Sequence, residues 1–117
     1  MKLILDQLPQ KELQNFYGGE KSLLANMTVD NENKILRGRL VPGASIGYHC
    51  HADSSEVIYI LSGCGKAIWN PHESGSENGS EEILAAGDCH YCPMGSFHTL
   101  INTGSEDLLF FAVVGKH

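Results

Sequence analysis

Gly43-ASIGY-His49-Cys50-His51-ADSS-Glu56-VIYILS-Gly63 is the stretch on which the reading of this chain turns. Side chains alternate between the two faces of an extended strand, so His49 and His51, two apart, point the same way. Ala52-Asp53-Ser54-Ser55 makes a four-residue turn, and Glu56 opens the next strand, where it can return opposite the histidine pair. Gly43 and Gly63 bracket the unit at positions where a strand-end turn needs positive φ. The segment thus reads as two short strands with their metal-type side chains aimed at one point.

The same grammar continues outward in both directions. Upstream, Leu23 to Val29 and Lys34 to Val41 flank the polar loop Asp30–Asn33, which is a hairpin, and Pro42-Gly43 turns the chain. Residues 1–21 read as an N-terminal extension, with Leu8 to Leu13 long enough for one helical turn and Tyr17-Gly18-Gly19 breaking any pattern. Downstream come Gly65 to Trp69, a Pro/Gly/Ser/Asn-rich loop from Asn70 to Ser80, and the strands Glu82–Ala85, Cys89–Cys92, Phe97–Asn102 and Leu108–Val114. Eight or nine short strands without a convincing helix predict an all-β, antiparallel sandwich or barrel. With 117 residues, 42% hydrophobic and 19% charged, the chain fits one domain and excludes a disordered tail or a coiled coil.

His98 lies on a strand far along the chain, after Pro93-Met94-Gly95. Brought beside His49, His51 and Glu56, it completes three neutral imidazoles and one carboxylate, a donor set suited to one divalent transition metal: Fe, Mn, Ni, Zn or Cu. A second stretch carries the same kind of spacing: Gly87-DCHYC-Pro93-Met94-Gly95-SF-His98-TLI-Asn102. With these two motifs, at 43–63 and 87–102, the chain resembles the cupin superfamily, small single-domain bacterial members in particular. The first motif reads Gly, five residues, His-x-His, four residues, Glu, six residues, Gly; the second reads Gly, five residues, Pro-x-Gly, two residues, His, three residues, Asn. The resemblance implies a jelly-roll (double-stranded β-helix) barrel over residues 1–117 and a metal held by His49, His51, Glu56 and His98.

Eight basic against fourteen acidic residues give a net charge of -6, which disfavours nucleic acid and anionic membrane as partners while leaving room for a local cationic grip on one small anion. The longest apolar run, Leu108 to Val114, is too short to span a bilayer, and the first residues lack an export signal; a cytoplasmic location is expected. Cys50, Cys64, Cys89 and Cys92 are then free thiols. Cys89 and Cys92, three apart in a strand, face opposite sides and have no second pair to complete a zinc site.

Around the metal set, Arg37 and Arg39 share one face of their strand and either grip an anionic ligand at the barrel mouth or sit on an exposed face. Ser45 has the parity of His49, and Ile58 and Ile60 that of Glu56, which would place all three in the pocket wall. Parity leaves open whether His90 or Tyr91 faces inward. Val57–Leu61 and Leu108–Val114 are apolar at both parities and call for cover on both faces, which predicts a second sheet or a second copy of the chain, a homodimer. Two functions fit: a metal-dependent enzyme acting on a small sugar or organic acid by isomerase, lyase or oxygenase chemistry, or a non-catalytic metal-dependent small-molecule binding or sensor protein.

Overall fold

The computed structural model describes all 117 residues. Ten strands run β1 (Gln10–Gln14), β2 (Ser22–Val29), β3 (Asn33–Leu40), β4 (Ser45–Cys50), β5 (Ser54–Ser62), β6 (Cys64–Asn70), β7 (Ser80–Ala85), β8 (Cys89–Cys92), β9 (Phe97–Ile101) and β10 (Leu108–Lys116). They form two antiparallel sheets, β1-β2-β3-β10-β5-β8 and β4-β9-β6-β7, in the arrangement of a jelly-roll barrel. The expected hairpin is β2–β3, with Leu23 opposite Leu40 and Val29 opposite Lys34. Leu8 to Leu13 does not make a helical turn. Residues 10–14 instead add β1 to the edge of β2, and the turn of 3-10 helix lies earlier, at Leu5–Gln7. The unpaired ladder of β2 outweighs the weak local helical preference of so short a segment.

β10 owes its apolar run to its place between β3 and β5, where it is hydrogen-bonded on both sides. Its alternate residues Leu108, Phe110 and Ala112 point into a core of fifteen buried side chains shared with Leu23, Leu36, Leu40, Ile46, Ile60 and Leu100. Gly38 lies beneath the Phe110 ring, whose Cζ is 2.2 Å from where a Gly38 Cβ would stand, so that position admits no side chain without moving the ring. Asn102 ties the β9–β10 turn: its Nδ2 donates to the Leu40 and Glu106 carbonyls at 2.7 and 2.8 Å, and its Oδ1 accepts from Gly104 N–H at 2.8 Å. The outer face of β5 is left uncovered by the chain. Val57, Tyr59 and Leu61 are 40–43% exposed, beside Tyr91 of β8, and no second sheet lies across them.

Candidate metal centre

Three strands of two sheets deliver the four donor groups. His49 of β4 pairs directly with His98 of β9, and Glu56 stands near the start of β5 on the facing sheet. His51, just past β4, is lashed to the β8–β9 turn: its N–H donates to the Ser96 carbonyl at 3.0 Å and its carbonyl accepts from Gly95 N–H at 2.6 Å. His51 Nε2 lies 3.2 Å from His49 Nε2 and 3.0 Å from both His98 Nε2 and Glu56 Oε1; His98 Nε2 to Glu56 Oε1 is also 3.0 Å. All four donor atoms fall within 4.8 Å of one another.

Hydrogen-bond partners on the far side of each ring fix which nitrogen carries the proton. His49 Nδ1–H donates to the Gly47 carbonyl at 2.7 Å. His90, fully buried on β8, donates Nδ1–H to Glu82 Oε1 at 2.7 Å, which leaves its Nε2 to accept from His98 Nδ1–H at 3.0 Å. The Ser54 hydroxyl, 2.9 Å from His51 Nδ1, serves as donor or acceptor and accepts from Nδ1–H when His51 Nε2 is the bare nitrogen. Each imidazole then turns a bare Nε2 lone pair toward the others and toward the Glu56 carboxylate. Lone pairs packed this closely need a positive charge among them. Ligands held at right angles about 2.1 Å from an ion stand about 3.0 Å apart, so these separations fit a metal site.

The electrostatics press in the same direction. Burial lowers the His49 pKa to about 4 despite its bond to Gly47, and burial lowers His98 as well. In the metal-free cluster, burial pushes the Glu56 carboxyl up, but hydrogen bonding with His51 and His98 outweighs it and brings Glu56 down to about 2. His98 thus resists the very proton that the Glu56 carboxylate draws toward it. A dication among the four atoms relieves both.

The four residues do not share the cavity with every residue the sequence placed there. A cavity of about 300 Å³ is lined by His49, His51 and Glu56 together with Phe16, Tyr17, Leu36, Ile46, Phe110 and Val114, among others. Ser45 does not line it. From Ile46 to His49 β4 advances three positions while β9 advances two, from Leu100 to His98, and this bulge inverts the parity, giving the inward place to Ile46. Ser45 Oγ instead accepts from Glu20 N–H at 2.9 Å. Ile58 and Ile60 face inward but are packed in the core and do not reach the cavity. Arg37 and Arg39 alternate with the buried Leu36, Gly38 and Leu40 and so face outward, Arg39 3.6 Å from Asp107; the pocket reading of this pair gives way to the exposed face. His90 is neither on the surface nor in the cavity: it backs His98.

Sequence reasoning missed Tyr17. Its ring stacks on His49, centroids 4.0 Å apart and 9° from parallel. It does so from a left-handed backbone conformation (φ 53°), in a segment pressed so closely on the β4 bulge that a Cβ on Gly47 would lie 2.0 Å from the Tyr17 carbonyl oxygen. Non-glycine residues held this way are strained, and such strain gathers at functional sites.

Residues 36–114 match the family model described as Cupin domain. The chain is a cupin. This cupin is 31% identical over 114 residues to a Thermotoga maritima protein named Oxalate-binding protein, covering 92% of this chain and 88% of that one. A crystal structure from Thermotoga maritima, described as a predicted oxalate decarboxylase, superposes over the full length of both chains with a TM-score of 0.86 at 27% identity. A germin-like protein of Morus alba is 30% identical over 77 residues, which take in 66% of this cupin but 35% of that longer chain.

Proposed function

We propose that this cupin holds one divalent transition metal, from among Fe, Mn, Ni, Zn and Cu, through His49, His51, Glu56 and His98, and binds a small carboxylic acid against it. The observation that carries the reading is the convergence of three Nε2 atoms and a buried carboxylate on one point, with His49, His51 and Glu56 of that cluster lining a cavity of about 300 Å³. The names of the Thermotoga relatives support the acid. The bound ion supplies Lewis-acid polarisation of an acid's oxygens. The chain supplies the rest. Glu82, His90, Ser54 and the Gly47 carbonyl hold the imidazoles in register, Tyr17 and Phe16 form an aromatic wall, and Leu36, Ile46, Phe110 and Val114 keep the cavity poor in water. Binding is the minimal function of this site; isomerase, lyase or oxygenase turnover is its finer form.

Elemental analysis followed by calorimetric titration with oxalate tests the reading. Metal near one ion per chain is expected, with acid binding lost on chelation and restored by metal. A chain that stays empty after reconstitution overturns it. The exposed stripe Val57, Tyr59, Leu61 and Tyr91 supports a homodimer through the outer face of β5 and β8, so light scattering should give twice the chain mass at micromolar concentration. A cytoplasmic setting belongs to the same reading, and the four free thiols support it.

A further inference from the structure

The outward turn of Arg37 and Arg39 leaves the cavity's cationic character to two other residues. Lys34 has the parity of Leu36, Gly38 and Leu40, and Lys116 that of Phe110, Ala112 and Val114, so both are carried on inner faces, and both line the cavity. Strand register places them relative to the metal ligands. Lys34 pairs with Val114, and Val114 pairs in turn with Glu56, so Lys34 stands on the same rung as Glu56, two strands away. Lys116 pairs with Ser54, the residue whose hydroxyl bonds His51. Neither ammonium belongs to any ion pair of the protein, which are Arg39–Asp107, Lys66–Glu81 and the histidine–glutamate contacts. The carboxylates lining the same cavity are Asp53, in the β4–β5 turn, and Glu56, which belongs to the metal cluster. Neither lysine is matched by an ion pair within the cavity; the carboxylate whose charge reaches Lys116 is Asp30, in the β2–β3 turn outside it, so the cavity itself keeps a place for negative charge.

We infer that Lys34 and Lys116 form a distal anion subsite, so that the ligands of this cupin are short-chain acids with two anionic ends, one at the metal and one at the lysines. The inference rests on the metal reading above and narrows its ligand class. Strands lie about 4.8 Å apart, which sets Lys34 Cα about 10 Å from Glu56 Cα. Both side chains reach into that span, and malonate, succinate and glutarate, set against the two carbons of oxalate, bracket the chain lengths that would bridge it. Val114, between the two ends on the same rung, faces the ligand's methylene groups.

The test is calorimetry on the metal-loaded full chain with oxalate, malonate, succinate and glutarate, each longer diacid matched by a monoacid of the same carbon number. Wild type, Lys34→Met, Lys116→Met and the double variant are compared, with metal content and far-UV circular dichroism recorded on every sample. The expected result is that a three- to five-carbon diacid binds at least tenfold more tightly than its monoacid, and that the double variant closes the gap without losing metal. A diacid-to-monoacid ratio unmoved by the substitutions overturns the subsite, as does a preference for oxalate that the substitutions leave intact. Metal content separates the failures: a wild-type chain without metal overturns the reading of the centre, whereas a loaded chain with an unmoved ratio overturns only the lysines' role.

Discussion

Replacing His90 with Phe keeps the volume of a fully buried ring but removes the only acceptor of His98 Nδ1–H. Two costs follow. A buried donor left without a partner destabilises the fold by about 1–3 kcal/mol. Loss of the group that orients and polarises a ligating histidine weakens metal binding about 10–100-fold, or about 1.4–2.8 kcal/mol. Glu82 should count for less, because its side chain is 41% exposed and water screens its 2.7 Å contact with His90; Glu82→Gln should cost about threefold or less. His90→Gln, which offers a carbonyl oxygen in the same region, should recover part of the loss. The assay is competition for Co(II) or Zn(II) against a chromophoric chelator, with far-UV circular dichroism to confirm that each variant is folded. A folded His90→Phe protein that binds metal within twofold of wild type would show that the Glu82–His90–His98 chain is mere packing.

Two further outcomes are expected. In chelator-stripped protein, the folded-state pKa values of His49 (about 4, against an ordinary 6.5), His98 (lowered) and Glu56 (about 2, against 4.5) all lie below those of the unfolded chain. The unfolded chain therefore takes up protons first on acidification, and stability falls with pH, the histidine share over the range from 6.5 to 4 and the glutamate share from 4.5 to 2. Urea midpoints measured from neutral pH to pH 4 should fall; midpoints that stay flat or rise on acidification contradict the assigned shifts. Gly47→Ala sets a Cβ 2.0 Å from the Tyr17 carbonyl oxygen and 2.9 Å from Gly19 N. Overpacking of this kind should cost about 1–3 kcal/mol and lower Tm by roughly 5–15 °C, and metal affinity should fall with it because the Gly47 carbonyl accepts from His49 Nδ1–H. An unchanged Tm would mean that the segment is not clamped there.

Most of the barrel was legible because its strands are short, bounded by Gly and Pro, and patterned at period two. The cluster of His49, His51, Glu56 and His98 was legible because both motifs bring these donors together by spacing. What failed did so for identifiable physical reasons. Parity counting carried Ser45 inward with His49, but one extra residue in β4 reverses the count, and a bulge leaves no mark in a period-two pattern. On β3, parity alone does not say which set faces in; the buried Leu36 and Leu40 would have excluded Arg37 and Arg39 and selected Lys34. β1 was missed because an edge strand is made by its partner more than by its own composition. Tyr17 and His49 meet across a contact that no local rule reports, although the Tyr17-Gly18-Gly19 break marked where the chain bends. His90 needed the β5–β8 register, Ile58 opposite His90, before its side became readable.

Phe16 and Tyr17 of the N-terminal extension and Lys116 near the last residue of β10 border the cavity, with His117 Nε2 2.8 Å from Ser55 Oγ. A purification tag appended after His117 is therefore an intervention beside the site. A polyhistidine tail appended after His117 would begin two residues beyond Lys116 and bring a competing chelator close to the cavity. An N-terminal truncation that removes residues before Ser22 would preserve every metal ligand while stripping the aromatic wall from His49. Metal content alone would then report an intact protein whose ligand selection had already been altered at the bench.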